Sequence, residues 1–283
     1  MSNRGIVISP RFDFDGELLS VRGGLDPHSL RHYLLFWDKI DCPGNNVVHI
    51  GVGEETPDIQ LLIREGIFAR TRIQFRTFSD NIGYALLASQ VAAFQLHNQQ
   101  EPGTWSLGQP GSRLFLPPDI SHESRMFEVE LYKAIPVPDV SVSVKDVLRF
   151  KEKRQSELQR FRAAMDDLYT EVIHSNDIPR AKVHALDKLE QSIADLHRVC
   201  NESWPRKLLS TLKVELNAPS LISGAALGGT AGIALGFPPQ IAAVIGAAAA
   251  AIKMDFRPVT RPNSLPTELR DYAYLHHIET ELK

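Results

Sequence analysis

Cysteine is nearly absent from this chain. Two residues in 283, Cys42 and Cys200, stand far apart, which excludes a disulfide framework and fits reduced thiols. Charge of one sign is also lacking. Lys and Arg number 31 against 34 Asp and Glu, a net charge of −3, which argues against a dedicated nucleic-acid binder. No Gly-x-x-x-x-Gly-Lys-Ser/Thr, Gly-x-Gly-x-x-Gly or Gly-x-Ser-x-Gly occurs, so phosphate loop, dinucleotide fingerprint and nucleophile elbow are missing. His28 and His32 sit at i, i+4, but no Glu follows His28 and no third ligand is evident. Asp13 and Asp15 alternate before Gly16 in what reads as a turn, and Glu54, Glu55 and Asp58 have no Lys placed to complete a nuclease-like set. The expectation is a protein with no catalytic residues, no metal and no cofactor: not an enzyme. The opening residues lack the long apolar core of a secretory signal, so the expected location is cytoplasmic.

One long segment lacks charge altogether. Leu216 to Ile252, 37 residues, contains no Asp, Glu, Lys, Arg or His. Within it Gly224, Gly228, Gly232 and Gly236 recur every four residues, which on a helix makes one groove without side chains. Each helical Gly costs about 1 kcal/mol relative to Ala, a cost that makes sense where another backbone approaches closely. Ser220 caps the expected first helix, Phe237, Pro238 and Pro239 stop it, and a second Ala-rich arm runs from Gln240 to Ile252. The segment resembles the glycine zippers of membrane-associating proteins. The resemblance implies conditional membrane association. At 1.5 Å per residue the arms are about 25 and 20 Å long, short of the hydrocarbon core of about 30 Å. Eighteen of the 37 residues are Ala or Gly, which drive insertion weakly. A constitutive anchor is therefore excluded, and a hairpin masked until triggered is expected. The soluble alternative is an Ala/Gly hairpin permanently packed in a helical core.

Hydrophobic spacing predicts an α+β fold. Residues 1–138 read as a mixed α/β domain that senses or binds a partner, 139–257 as a helical domain, and 258–283 as a tail with a short helix. In the first part, strands are expected at Gly5–Ser9, Asn46–Val52, Arg70–Phe78 and around Trp105, Leu114–Leu116 and Phe127–Tyr132. Helices are expected from Pro27, at Pro57–Glu65 before Gly66, and at Asn81–Gln99 with Leu86, Leu87, Val91 and Phe94 inward. In the second, one helix is expected from the Ser143-x-x-Asp146 cap to about His174, and another from Pro179 to Cys200. Leu158, Phe161, Met165, Leu168 and Val172 match Leu186, Leu189, Ile193, Leu196 and Cys200 in spacing, which predicts an antiparallel helical hairpin. A third helix, Pro205–Leu216, leads into the uncharged run.

The first of these helices is basic where it begins. Lys145, Arg149, Lys151, Lys153, Arg154, Arg160 and Arg162 face Asp146, Glu152 and Glu157, a local +4. Lys145, Arg149, Lys151, Lys153 and Arg154 are the candidate lipid or anion contacts, because an anionic leaflet attracts basic residues by about 1 kcal/mol each. Arg70, Arg72 and Arg76 read as the wet face of an edge strand. The expected function is a membrane-active or membrane-recruited effector, peripheral to the membrane on a trigger. Its partners are a lipid membrane and a protein partner or further copies of itself, with no nucleic acid. Bacterial defence is a home suggested by analogy. The alternative is a soluble protein–protein interaction component.

Overall fold

The computed structural model describes residues 3–14, 19–47, 56–76, 82–109, 132, 135, 137–200 and 265–282. The whole uncharged run lies outside them, as do the helix expected at 205–216, the strand expected at 114–116 and, apart from Tyr132, the strand expected at 127–132. The fold is α+β. A small parallel sheet contains β1 (Gly5–Ile8), β4 (Lys39–Asp41), β6 (Phe68–Ala69) and β8 (Trp105–Gly108) in the order β6-β4-β1-β8. β1 pairs in parallel with β4 through Ile6↔Ile40 and with β8 through Val7↔Leu107. Two small satellites accompany it: antiparallel β2 (Arg11–Phe14) with β3 (Leu19–Gly23), and parallel β5 (Gly44–Asn45) with β7 (Arg72–Ile73).

The crossovers explain the packing. Helix α1 (Pro27–Phe36) joins β1 to β4 by way of the β2–β3 hairpin, and α2 (Pro57–Arg64) lies between β4 and β6. Both step the same way across the sheet, so right-handed crossovers put them on one face. Helix α3 (Ile82–Gln100) returns to β8 on the far side of β1 and covers the other face. Side-chain alternation in β1 follows: Ile6 and Ile8 join the core of α1 and α2, while Val7 joins Ala93, Phe94, Trp105 and Leu107 under α3. Gly5 is required by a close approach, since a Cβ there would lie 2.4 Å from the Trp105 ring.

Local chemistry fixes the helix ends. Asp26 caps α1 by accepting from the Ser29 N–H at 2.9 Å, with Pro27 at the first helical position. Thr56 caps α2, and Gly66 leaves it at φ 68°. In the helical half, Ser143 caps α4 (Val144–Lys153) by accepting from the Asp146 N–H at 3.1 Å. The short Asp146 carboxylate accepts from the Ser143 hydroxyl at 2.6 Å, where the longer side chain of a full capping box reaches the backbone.

The helix expected from 143 to 174 is broken. Arg154, at φ −108° and ψ 27°, separates α4 from α5 (Gln155–Ile173). Helix α6 (Ile178–Cys200) then packs back on α5. Leu158, Phe161, Met165, Leu168 and Val172 are all buried, as are Leu189, Ile193 and Leu196 across from them. A 3-10 helix (Thr267–Tyr272) and α7 (Ala273–Glu281) lie against both helices. Tyr274 is fully buried and donates its hydroxyl to the Leu35 carbonyl at 2.9 Å. One core therefore runs from Ile6 and Leu34 through Phe161 to Leu196 and Ile278.

Candidate functional site

Helix α4 buries Val144, Val147 and Phe150. That leaves Lys145, Arg149 and Lys153, spaced i, i+4 and i+8, exposed along its outer side. Arg149 has one loose intrahelical carboxylate, Asp146 at 3.7 Å. The row ends at the α4–α5 break, where Arg154 turns toward the C-terminal helix. Arg154 donates from Nε to Glu281 Oε1 at 2.9 Å, and from Nη2 to the same oxygen. Lys153 Nζ donates to Glu281 Oε2 at 2.7 Å, and Arg154 Nη1 lies 3.2 Å from Glu157. Burial alone would raise the Glu281 pKa, but Lys153 and Arg154 outweigh it and hold the carboxyl below its usual range.

Lys151 faces the opposite way. Its ammonium donates to the Trp37 carbonyl and pairs with Asp38 Oδ1 at 2.9 Å. Asp38 also takes Arg162 in a two-pronged contact, 2.9 Å to Oδ2 and 3.1 Å to Oδ1, and the Arg4 N–H at 3.0 Å. Burial would raise the Asp38 pKa; Lys151 and Arg162 overcome it and hold the carboxyl well below normal. Burial pushes the Lys151 ammonium down to about 8, with Asp38 pulling the other way. Arg162, 1 % exposed, further donates to the Phe36 carbonyl at 2.7 Å. Beside this knot a cleft of about 680 Å³ opens between α2 and α4, with Leu61, Ile67 and Leu148 among its apolar walls and Lys145, Arg149 and Glu65 among its polar ones.

A family model described as a family of unknown function (DUF6236) matches residues 16–283. The chain belongs to the DUF6236 family. No curated protein and no solved structure matches it.

In this DUF6236 member the opposite, C-terminal edge of the sheet carries a second polar group. The strand order reverses direction between β1 and β8, the place where open α/β sheets bind ligands. There Gln90 of α3 donates to the Val7 carbonyl at 3.1 Å and the Gly108 carbonyl at 2.7 Å, and Gln109 donates to Gln90 Oε1 at 2.9 Å. The buried Ser9 hydroxyl has no hydrogen-bond partner among the described residues. At the end of β4, buried Asp41 meets His97 Nε2 at 2.7 Å and the Thr71 N–H at 2.9 Å, and the His97 ring stacks on Trp105 at 3.8 Å. These contacts join α3 and a loop to the sheet. Burial raises the Cys42 thiol to about 11, so it is a poor nucleophile. Among the described residues no three His, Cys, Asp or Glu side chains gather to hold a metal.

The five basic residues singled out in sequence thus divide. Lys145 and Arg149 line the outer row, Lys153 and Arg154 share Glu281, and Lys151 is turned inward onto Asp38. Gly224, Gly228, Gly232, Gly236, Phe237, Pro238 and Pro239 lie outside the described residues. No local spacing in the sequence marks Asp38 or Arg162 as site residues. Glu281 did carry a signal: a carboxylate on the last residue of a helix opposes the helix dipole and needs cations nearby. Among the described residues no helix is long and apolar enough to cross a membrane.

Proposed function

We propose that this chain is a non-enzymatic effector that is recruited to anionic membranes and inserts its Ala/Gly hairpin there on a trigger. The supporting observation is the exposed row of Lys145, Arg149 and Lys153 on the same chain as the uncharged run. Cations on one rigid helix face meet headgroups together, and their attractions add. The hairpin arms are too short to cross singly, so insertion is shallow or oligomeric. The α/β half binds the partner or ligand that sets the trigger. The protein resides in the cytoplasm and becomes peripheral to the membrane on that trigger. One observation favours a soluble interaction component instead: Lys151, Lys153 and Arg154 are already engaged by carboxylates of this chain.

Co-sedimentation with vesicles of phosphatidylserine in phosphatidylcholine separates the two. The membrane reading expects binding that is lost on replacing Lys145, Arg149 and Lys153 with Glu, and lost in wild type at 1 M salt, where the Debye length is about 3 Å. A folded wild-type chain indifferent to such vesicles supports the soluble component.

A further inference from the structure

We propose that Lys153 and Arg154 form a phosphate-binding site that Glu281 occupies in this structure. The inference rests on the membrane reading for its biological source of phosphate, and on geometry for the site itself. A guanidinium that offers Nε and Nη2 side by side is built for an oxyanion. Here both donors converge on Glu281 Oε1, and the Lys153 ammonium completes the grip on Oε2. The same arrangement holds two oxygens of a phosphate. Glu281 is poorly placed for any other reason. It is the last residue of α7, where the helix dipole disfavours negative charge. His277, one turn earlier, is 3.5 Å from the same oxygen. The shorter contacts that hold the carboxylate therefore come from the two cations outside its helix, with His277 a longer contact from within it.

The site can exchange its occupant without disturbing the core. Helix α7 is anchored by buried Tyr274, Leu275 and Ile278, and Leu282 just beyond Glu281 is buried as well, so a rotation of the Glu281 side chain alone, with the helix held in place, clears the cations. Lys153 is 63 % exposed along its side chain, so one side of the site already faces solvent. It also continues the outer row of Lys145 and Arg149, which brings phosphate groups to it. Glu281 thus competes with a headgroup or a free phosphate, and sets the threshold at which the anion wins.

Glu281→Gln removes the competing charge and keeps the side-chain volume. Two probes distinguish the sources: inorganic phosphate in solution, and vesicles of phosphatidic acid in phosphatidylcholine. In this variant phosphate binding, read as movement of the Arg154 side-chain NMR signal, is expected to tighten by about tenfold, the low end of what releasing charge-assisted hydrogen bonds gives. Adding Arg154→Gln to Glu281→Gln should remove that gain, read in this pair from the backbone amide NMR signals around residue 154. A gain with both probes assigns the site to lipid headgroups. A gain with inorganic phosphate alone keeps the site, assigns it to a soluble phosphate and counts against the membrane reading. Vesicle binding equal in wild type and Glu281→Gln, with no gain for phosphate, overturns the site and leaves the membrane reading intact. No binding of either probe by either protein overturns both. Should Glu281→Gln fold poorly, wild type under saturating phosphate serves: an Arg154 signal that does not move overturns the site.

Discussion

Asp38 accepts from the Arg4 N–H, both Nη atoms of Arg162 and the Lys151 ammonium. Removing one partner of such a knot leaves the other charges buried and uncompensated. Asp38→Ala should therefore cost about 3 kcal/mol in urea unfolding at neutral pH, more than an exposed ion pair is worth. The pH dependence has a definite sign. The folded pKa of Asp38 is lowered, so its contribution is whole above the ordinary carboxylate pKa of about 4 and is lost as pH falls below that. The stability gap between wild type and Asp38→Asn should close below that pH; a gap constant down to strong acid would contradict the pairing. Gly5 is constrained by shape instead of charge. Gly5→Ala drives a methyl into the Trp105 ring and should cost about 1–3 kcal/mol by overpacking. Trp105→Leu should recover part of that loss, measured in the double variant. Were Gly5→Ala neutral, the close approach would be mistaken.

At the scale of elements, the Ser143 cap offers a clean test. Ser143→Ala removes the acceptor for the Asp146 N–H and should destabilise by about 1 kcal/mol, read as a fall in Tm. The position is exposed, so no cavity confuses the result. Ser143 and Asp146 announced this helix in sequence, and the inward face of α3 was equally plain because Leu86, Leu87, Val91 and Phe94 keep the helical period. The break at Arg154 was hidden. Phe150 to Gln155 holds no Gly or Pro, and the seam period of α5 begins just beyond it. Strand β4 was hidden too, because its three residues follow α1 after only Trp37 and Asp38, where five of the seven residues from Leu34 to Ile40 are large and apolar. Of the strand expected at Arg70–Phe78, the described residues 70–76 are strand at Arg72–Ile73, with Asn46 exchanging side-chain hydrogen bonds with the Phe75 backbone at 3.0 and 2.8 Å in place of a longer ladder. The sites were least legible. Glu281 lies 127 residues from Arg154, and Asp38 lies 124 from Arg162. No local spacing rule reaches that far; only the packing of α7 and α5 onto α1 brings them together.

At the scale of the molecule, the sheet and the helices on either side of residue 138 share one buried core. The seams of α5 and α6 pack on each other, on the 3-10 helix and on α7. Cations displayed on α4 keep a fixed geometry relative to the core, and in sequence the uncharged run lies between α6 and the 3-10 helix. The central claim is that this run acts in an anionic bilayer. The most direct measurement is release of a trapped dye from phosphatidylserine vesicles by wild type and by Gly228→Leu with Gly232→Leu, both checked for folding by circular dichroism. The account predicts release by wild type from anionic but not neutral vesicles, and none by the folded double variant, whose glycine groove is filled. Equal release by the two proteins, or sealed vesicles with both, would contradict it.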